Sequence, residues 1–149
     1  MIQYVIINGP NLNLLGDREP GVYGNKTLKE IEKIINFHFQ AECKIDFYQS
    51  NHEGEIIDFL HMTSNVYNGI VFNPGAFMSY SYAIRDAIAS ISIPVIEVHM
   101  SNIFNRDSFR QQSVIAPVTK GFISGLGERS YILGIESLLL QNKLGSKVE

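Results

Sequence analysis

The run 4-YVIIN-8 is apolar, of strand length, and broken by Gly9-Pro10; the next apolar pattern, from Thr27 to Cys43, has a different period. There Leu28, Ile31, Ile34, Ile35 and Phe39 recur at helical spacing, with Lys29, Glu30, Glu32 and Lys33 on the other face. Thr27-x-x-Glu30 opens that helix as a capping box. The alternation continues. Strand-like runs stand at 45-IDFYQ-49, 69-GIVFN-73, 94-PVIEVH-99 and 121-GFIS-124. Helical patterns lie between them, over Glu53 to Thr63 (capped by Ser50 or Asn51), Ser79 to Ile91, and Ser130 to Lys143 with Gly145 as the stop. One short helix is expected in the polar stretch from Ser101 to Gln112. Strands alternating with helices imply a parallel sheet covered on both faces. Right-handed crossovers make this α/β chain a doubly wound, flavodoxin-like three-layer sandwich with strand order 2-1-3-4-5.

At 149 residues the chain is expected to be one catalytic domain. An apolar fraction of 45% suits a globular core, and only 18% charged residues fits a surface partly covered by other subunits. The formal charge of -3 argues against binding nucleic acid by bulk attraction. The lone Cys43 excludes an internal disulfide and a cysteine-rich metal site. No run suits a membrane span, Met1 leads straight into a strand, and a soluble cytoplasmic protein is the expectation. The tail 144–149 is expected to be frayed.

In such sheets ligands bind beyond the carboxyl ends of the strands, near the switch point between strands 1 and 3. Three stretches should therefore share a rim: 8-NGPN-11 with the connection after it, 73-NPGAFMS-79, and 97-EVHMSN-102. No phosphate-loop or dinucleotide glycine motif follows strand 1. The carboxylates that a phospho-acceptor or divalent-metal site needs are missing, so neither metal nor cofactor is expected. The rim instead offers amides, an imidazole, a phenol and guanidinium groups, an inventory for proton transfer on a polar, anionic small molecule. His99 exchanges protons near neutrality. Glu97, two residues earlier, shares its strand face and either fixes the imidazole tautomer or binds elsewhere on the rim. Tyr23 becomes a usable base if a permanently charged arginine such as Arg18 favours its phenolate. The connection over residues 9–26 is far longer than a strand-to-helix link needs. With Gly16, Pro20, Gly21 and Gly24 it could serve as a lid.

Blander roles compete. Asn11 and Asn73 often only close turns. Arg106 and Arg110, four apart on one expected helix face, either bind an acidic or hydroxylated ligand or are solvated. His38, His52 and His61 read as structural, and Met62, Phe77 and Met78 as packing residues.

Together these stretches, with 18-REPGVYG-24, 49-QSNHEGEIID-58, 83-AIRDAI-88, 109-FRQQSVIAP-117 and 125-GLG-127, resemble the type II 3-dehydroquinate dehydratases (type II dehydroquinases) over nearly the whole chain. The resemblance implies anti elimination of water from 3-dehydroquinate to 3-dehydroshikimate through an enolate, in the shikimate pathway of aromatic amino-acid biosynthesis, with no cofactor. It implies Tyr23 as the base, Arg18 holding the phenolate, and Asn11 positioning a water on the enolate oxygen. His99 would be the acid, oriented by Glu97. The N–H groups of Met100 and Ser101, with the Ser101 hydroxyl, would hold the substrate carboxylate, and Asn73 and Arg110 the ring hydroxyls. Trimers grouped into a dodecamer would let Asp86 reach a neighbouring subunit's site. One position departs: Ser79 stands where the family usually has a histidine that contacts substrate hydroxyls. Ser130, in 127-GERSY-131, is given a structural meaning only. Two rivals remain: a dehydratase for a related cyclic polyhydroxy acid, and a non-catalytic binder of one. A generic flavodoxin-like signalling or cofactor module lacks the residues it needs.

Overall fold

The computed structural model describes residues 1–17 and 19–145; Arg18 and residues 146–149 lie outside the described residues. Five parallel strands, β1 Gln3–Asn8, β2 Lys44–Gln49, β3 Gly69–Asn73, β4 Val95–His99 and β5 Gly121–Ser124, form one sheet. The order is β2-β1-β3-β4-β5, as expected. After a single turn, α1 Pro20–Tyr23, the helices are α2 Leu28–Phe39, α3 Glu53–Thr63, α4 Tyr82–Ser90 and α5 Arg129–Gly145.

Alternation along β1 sorts the two faces. Tyr4 and Ile6 pack with Ile31, Ile35 and Phe39 of α2 and with Tyr131, Ile135 and Leu138 of α5. Val5 and Ile7 point the other way, onto Ile56 and Leu60 of α3 and Ile84 and Ile88 of α4. Period-two strands between period-3.6 helices thus produce three layers. No described helix is long and apolar enough to cross a membrane.

Several boundaries differ from expectation. Helix α2 ends at Phe39, whose carbonyl accepts from both Glu42 N (2.9 Å) and Cys43 N (3.2 Å) as the chain turns into β2. The cap of α3 is His52. Ser50 Oγ is occupied instead by His52 N (2.9 Å) and the Glu55 carboxylate (2.5 Å). Asn51 Oδ1 accepts from Asn11 N at 2.9 Å. Helix α4 begins only at Tyr82 with Ser81 as its cap, because Gly75–Ser79 forms a separate 3-10 turn. The region after β4 holds two 3-10 turns, Ile103–Asn105 and Ser108–Arg110, not one helix. Helix α5 runs through Gly145, so Leu144 and Gly145 are helical and not a frayed stop. Met62 is 47% exposed and is not a packing residue.

Candidate active site

The sheet register puts Asn8 of β1 beside Asn73 of β3. The loops that follow these strands are laced together. Gly9 N donates to the Asn73 carbonyl at 2.8 Å. A Cβ on Gly9 would fall into the Pro74 carbonyl, and one on Gly75, whose φ is +59°, would press on the Pro10 carbonyl at 3.2 Å. Only glycine allows both the crossing and the left-handed turn without strain.

Below the crossing, the Tyr131 hydroxyl donates to Asn8 Oδ1 (2.6 Å) and accepts from Asn73 Nδ2 (2.9 Å). Asn73 Oδ1 accepts from Gly75 N at 3.2 Å. The carboxamide therefore closes its own turn, as the bland reading of Asn73 held, and retains one N–H toward the pocket it lines. Burial pushes the Tyr131 pKa well above the usual tyrosine range; the Glu32 carboxylate adds to this and the bond from Asn73 opposes it. The phenol stays neutral and donating.

The pocket sits at this rim, with about 450 Å³ of space between atoms, part of it open to solvent. Its walls unite Tyr23 from α1, Asn73 and Ser79 from the β3 loop, and His99, Met100 and Ser101 from the end of β4. Arg106 and Arg110 close it with two guanidinium groups. They come from different turns and not one helix face, yet converge on the same space. Such a wall favours an anion.

His99 is 6% exposed, and its Nε2 lies 2.8 Å from Glu97 Oε1. Glu97 itself is fully buried behind the imidazole. Of the two roles left open for it, the structure shows the contact with His99. Ser113 Oγ donates to the same carboxylate, 2.8 Å from Oε1 and 3.0 Å from Oε2.

Tyr23 is half-buried and comes from α1, not from the strand ends. Arg106 Nη1 donates to its hydroxyl at 2.9 Å and to Ser101 Oγ at 3.0 Å. The Arg106 guanidinium lies 5.2 Å from the Tyr23 ring centre, and its Nη2 lies 3.7 Å from Glu19 Oε2. So a guanidinium does sit against the phenol, and among the described residues it is Arg106. Arg18, expected in that place, is outside the described residues.

Two buried polar atoms on the wall, Ser79 Oγ and Arg110 Nε, have no hydrogen-bond partner among the described residues; the Asp107 carboxylate is 3.7 Å from Arg110 Nε. Asn11 does not join the lining: it is exposed, with φ 68°. Asp86 is exposed on α4, away from the pocket lining. Ser130 is structural, its Oγ accepting from Leu126 N at 3.3 Å. Sequence reasoning missed Ser113 and Tyr131. Ser113 gave no signal, because its link to Glu97 spans an irregular segment. Tyr131 was read only as part of the helix beginning at Ser130, and its partners Asn8 and Asn73 lie far off in sequence.

Residues 2–139 match the family described as Dehydroquinase class II. A Bacillus pumilus protein named 3-dehydroquinate dehydratase is 54% identical over 140 residues, covering 93% of this chain and 95% of its own length. One of the same name from Halalkalibacterium halodurans is 57% identical over 136 residues, covering 91% and 94%. The crystal structure of a type II dehydroquinase from Butyrivibrio crossotus superposes with a TM-score of 0.90 at 47% identity, covering 92% of this chain and 97% of that one. With the match spanning nearly its whole length, this chain belongs to the class II dehydroquinase family.

Proposed function

We propose that the chain is a 3-dehydroquinate dehydratase, a hydro-lyase that removes water from 3-dehydroquinate to give 3-dehydroshikimate in aromatic amino-acid biosynthesis. The observation that carries the reading is one pocket lined by both a guanidinium-bonded phenol and a carboxylate-bonded imidazole, Tyr23 and His99. These are the two partners an elimination needs.

Tyr23, as phenolate, takes the proton from the carbon beside the ring ketone. The electron pair left behind forms an enolate. As the enolate collapses, the carbon–oxygen bond at the β carbon breaks. His99 protonates that departing hydroxyl, and water leaves behind a conjugated enone. Proton and leaving group exit on opposite faces, so base and acid must come from different elements, as α1 and β4 are here. Arg106 and Arg18 favour the phenolate by placing positive charge beside it. Asn11 positions a water on the enolate oxygen, where charge develops. The N–H groups of Met100 and Ser101, with the Ser101 hydroxyl, hold the carboxylate. Asn73, Arg110 and Ser79 take the ring hydroxyls. The assembly is a dodecamer built from trimers, in which Asp86 reaches a neighbour's site, and it works in the cytoplasm as one catalytic domain whose residues 9–26 close as a lid.

The test is direct. Purified protein, stripped of metal with a chelator, is given 3-dehydroquinate, and the ultraviolet absorbance of the enone is followed beside Tyr23→Phe. Turnover in the parent that collapses in the variant supports the reaction and its base. A silent parent, or a phenylalanine variant with undiminished turnover, rejects the reading or the base.

A further inference from the structure

The Glu97 carboxylate is fully buried, and two donors meet it among the described residues, His99 Nε2 and Ser113 Oγ. Both reach Oε1 at 2.8 Å. A carboxylate without a compensating bond does not stay charged in such a place. The Ser113 hydroxyl is also committed on its other side. It accepts from Ile115 N at 3.2 Å and from Ala116 N at 3.0 Å. With both lone pairs occupied, its single proton is left for the carboxylate. The segment around it is tied down. Val114 N donates to the Met78 carbonyl at 2.8 Å, and Arg85 Nη1 to the Val114 carbonyl at 3.3 Å. Ser113 therefore cannot turn over and become an acceptor without breaking two backbone bonds.

We propose that Ser113 is a positioning residue for the general acid: by donating to Glu97 it keeps that group an acceptor only, which forces His99 to carry a proton on Nε2 and leaves Nδ1 for the pocket. Two backbone N–H groups hold the serine oxygen, the serine proton holds the carboxylate, and the carboxylate holds the imidazole. His99 then gives up its Nδ1 proton during elimination and remains protonated on Nε2, with no ring flip between turnovers. This assignment rests on the dehydratase reading only for the use made of the Nδ1 proton. The tautomer itself does not depend on it.

A purely local role is the alternative: Ser113 would only cap the 3-10 turn Ala116–Val118. That role predicts lost stability and an unchanged imidazole. Nitrogen-15 NMR of histidine-labelled protein separates the two, with the His99 signals identified by their loss in His99→Asn. The parent, above the pH where the ring titrates, is expected to show a protonated Nε2 and a bare Nδ1. Ser113→Ala is expected to show averaged shifts from two exchanging tautomers, and Ser113→Thr, which keeps the hydroxyl, the parental pattern. In turnover, Ser113→Ala should lose roughly tenfold or more in kcat, by analogy with the loss when the outer partner of a metal-bound histidine is removed. KM should stay within about twofold, and Ser113→Thr should restore kcat. Should the alanine variant fail to fold, Ser113→Cys, a weak donor, takes its place with partial averaging expected. An unchanged tautomer in the alanine or cysteine variant overturns the proposal. So does a kcat equal to the parent's. Tautomer averaging in a protein that never dehydrates 3-dehydroquinate would uphold the serine's hold on His99 and remove the substrate reading instead.

Discussion

The strand ends and the loop of residues 9–26 face each other across one pocket but are built on different principles. At the strand ends the polar side chains are buried, and Asn73 and Glu97 are each bonded to two partners. His99 is 6% exposed, Asn73 3% and Glu97 0%. Tyr23, by contrast, rides on a four-residue helical turn whose N-cap, Glu19, sits at φ 36°. That conformation is unfavourable for any residue other than glycine. The phenol is held partly from across the pocket, by Arg106. The imidazole and the phenol are thus supplied in two ways, one preorganised in the core and the other delivered by a loop. The rim should couple activity to stability, and the loop should not.

The largest expected effect breaks the loop side alone. Tyr23→Phe removes the hydroxyl proposed as the base while leaving the ring's packing, so kcat should fall by roughly a thousandfold, within the range of general-base catalysis. The urea midpoint should not move. A midpoint that fell with kcat would show that the loop is part of the folding core, and the contrast would fail.

Tyr131→Phe tests the rim. It leaves Asn8 Oδ1 and Asn73 Nδ2, both buried, without their shared partner. Unfolding free energy should fall by about 1–3 kcal/mol, the cost of buried polar groups left unpaired. Turnover should fall as well, since Asn73 lines the pocket. Alkaline titration sharpens the point. Because burial raises the folded pKa of this phenol, its neutral form stabilises the fold below the ordinary tyrosine pKa. That contribution declines once the pH passes about 10, where the unfolded phenol ionises. The phenylalanine variant should lose less stability than the parent over that range.

Arg106→Ala crosses between the two regions. The substitution removes the donor that the Tyr23 hydroxyl and Ser101 Oγ share, so kcat should fall by roughly tenfold or more with folding little changed. A raised KM at unchanged kcat would assign the guanidinium to substrate binding alone.

What was legible follows the same division. The alternation of strands and helices came from periodicity, because apolar residues recurring at a fixed interval report burial directly; strand order followed from right-handed crossovers, and the Glu97-x-His99 pair from the two-residue repeat of a strand. The long loop announced itself by length and by Asn11, Arg18 and Tyr23. The irregular chain between β4 and β5 was not legible. Its 3-10 turns carry no period, so Arg106 seemed to share a helix face with Arg110, and Ser113 was passed over. Their partners lie far off in sequence: Tyr23 for Arg106, and Glu97 for Ser113. Caps misled as well. Ser50 and Asn51 were read as competing caps for α3; Ser50 is taken by its near neighbours His52 and Glu55, and Asn51 by the distant Asn11 N–H.

The smallest expected effect concerns Ser79, which belongs to the rim yet behaves unlike its neighbours. Its Oγ is buried against the pocket with no bond among the described residues, whereas Asn73 and His99 are anchored. A short side chain at the end of the 3-10 turn Gly75–Ser79 leaves room between itself and a ring hydroxyl, room that a water can bridge. Ser79→His fills that room and offers a direct donor. The gain should be about one hydrogen bond, on the order of 1 kcal/mol, or roughly fivefold in KM. Because the contact forms in the ground state and persists in the transition state, kcat should hardly change. Stability should also hold, since the altered atom faces the pocket. A lower KM at constant kcat would make Ser79 a binding position whose hydrogen bond is unfulfilled in the free protein. If KM and kcat both stayed at parental values, the hydroxyl would have no part in binding. The orphaned oxygen would then mark a packing defect at the rim, and the contrast between an anchored rim and a delivered loop would need Ser79 as its exception.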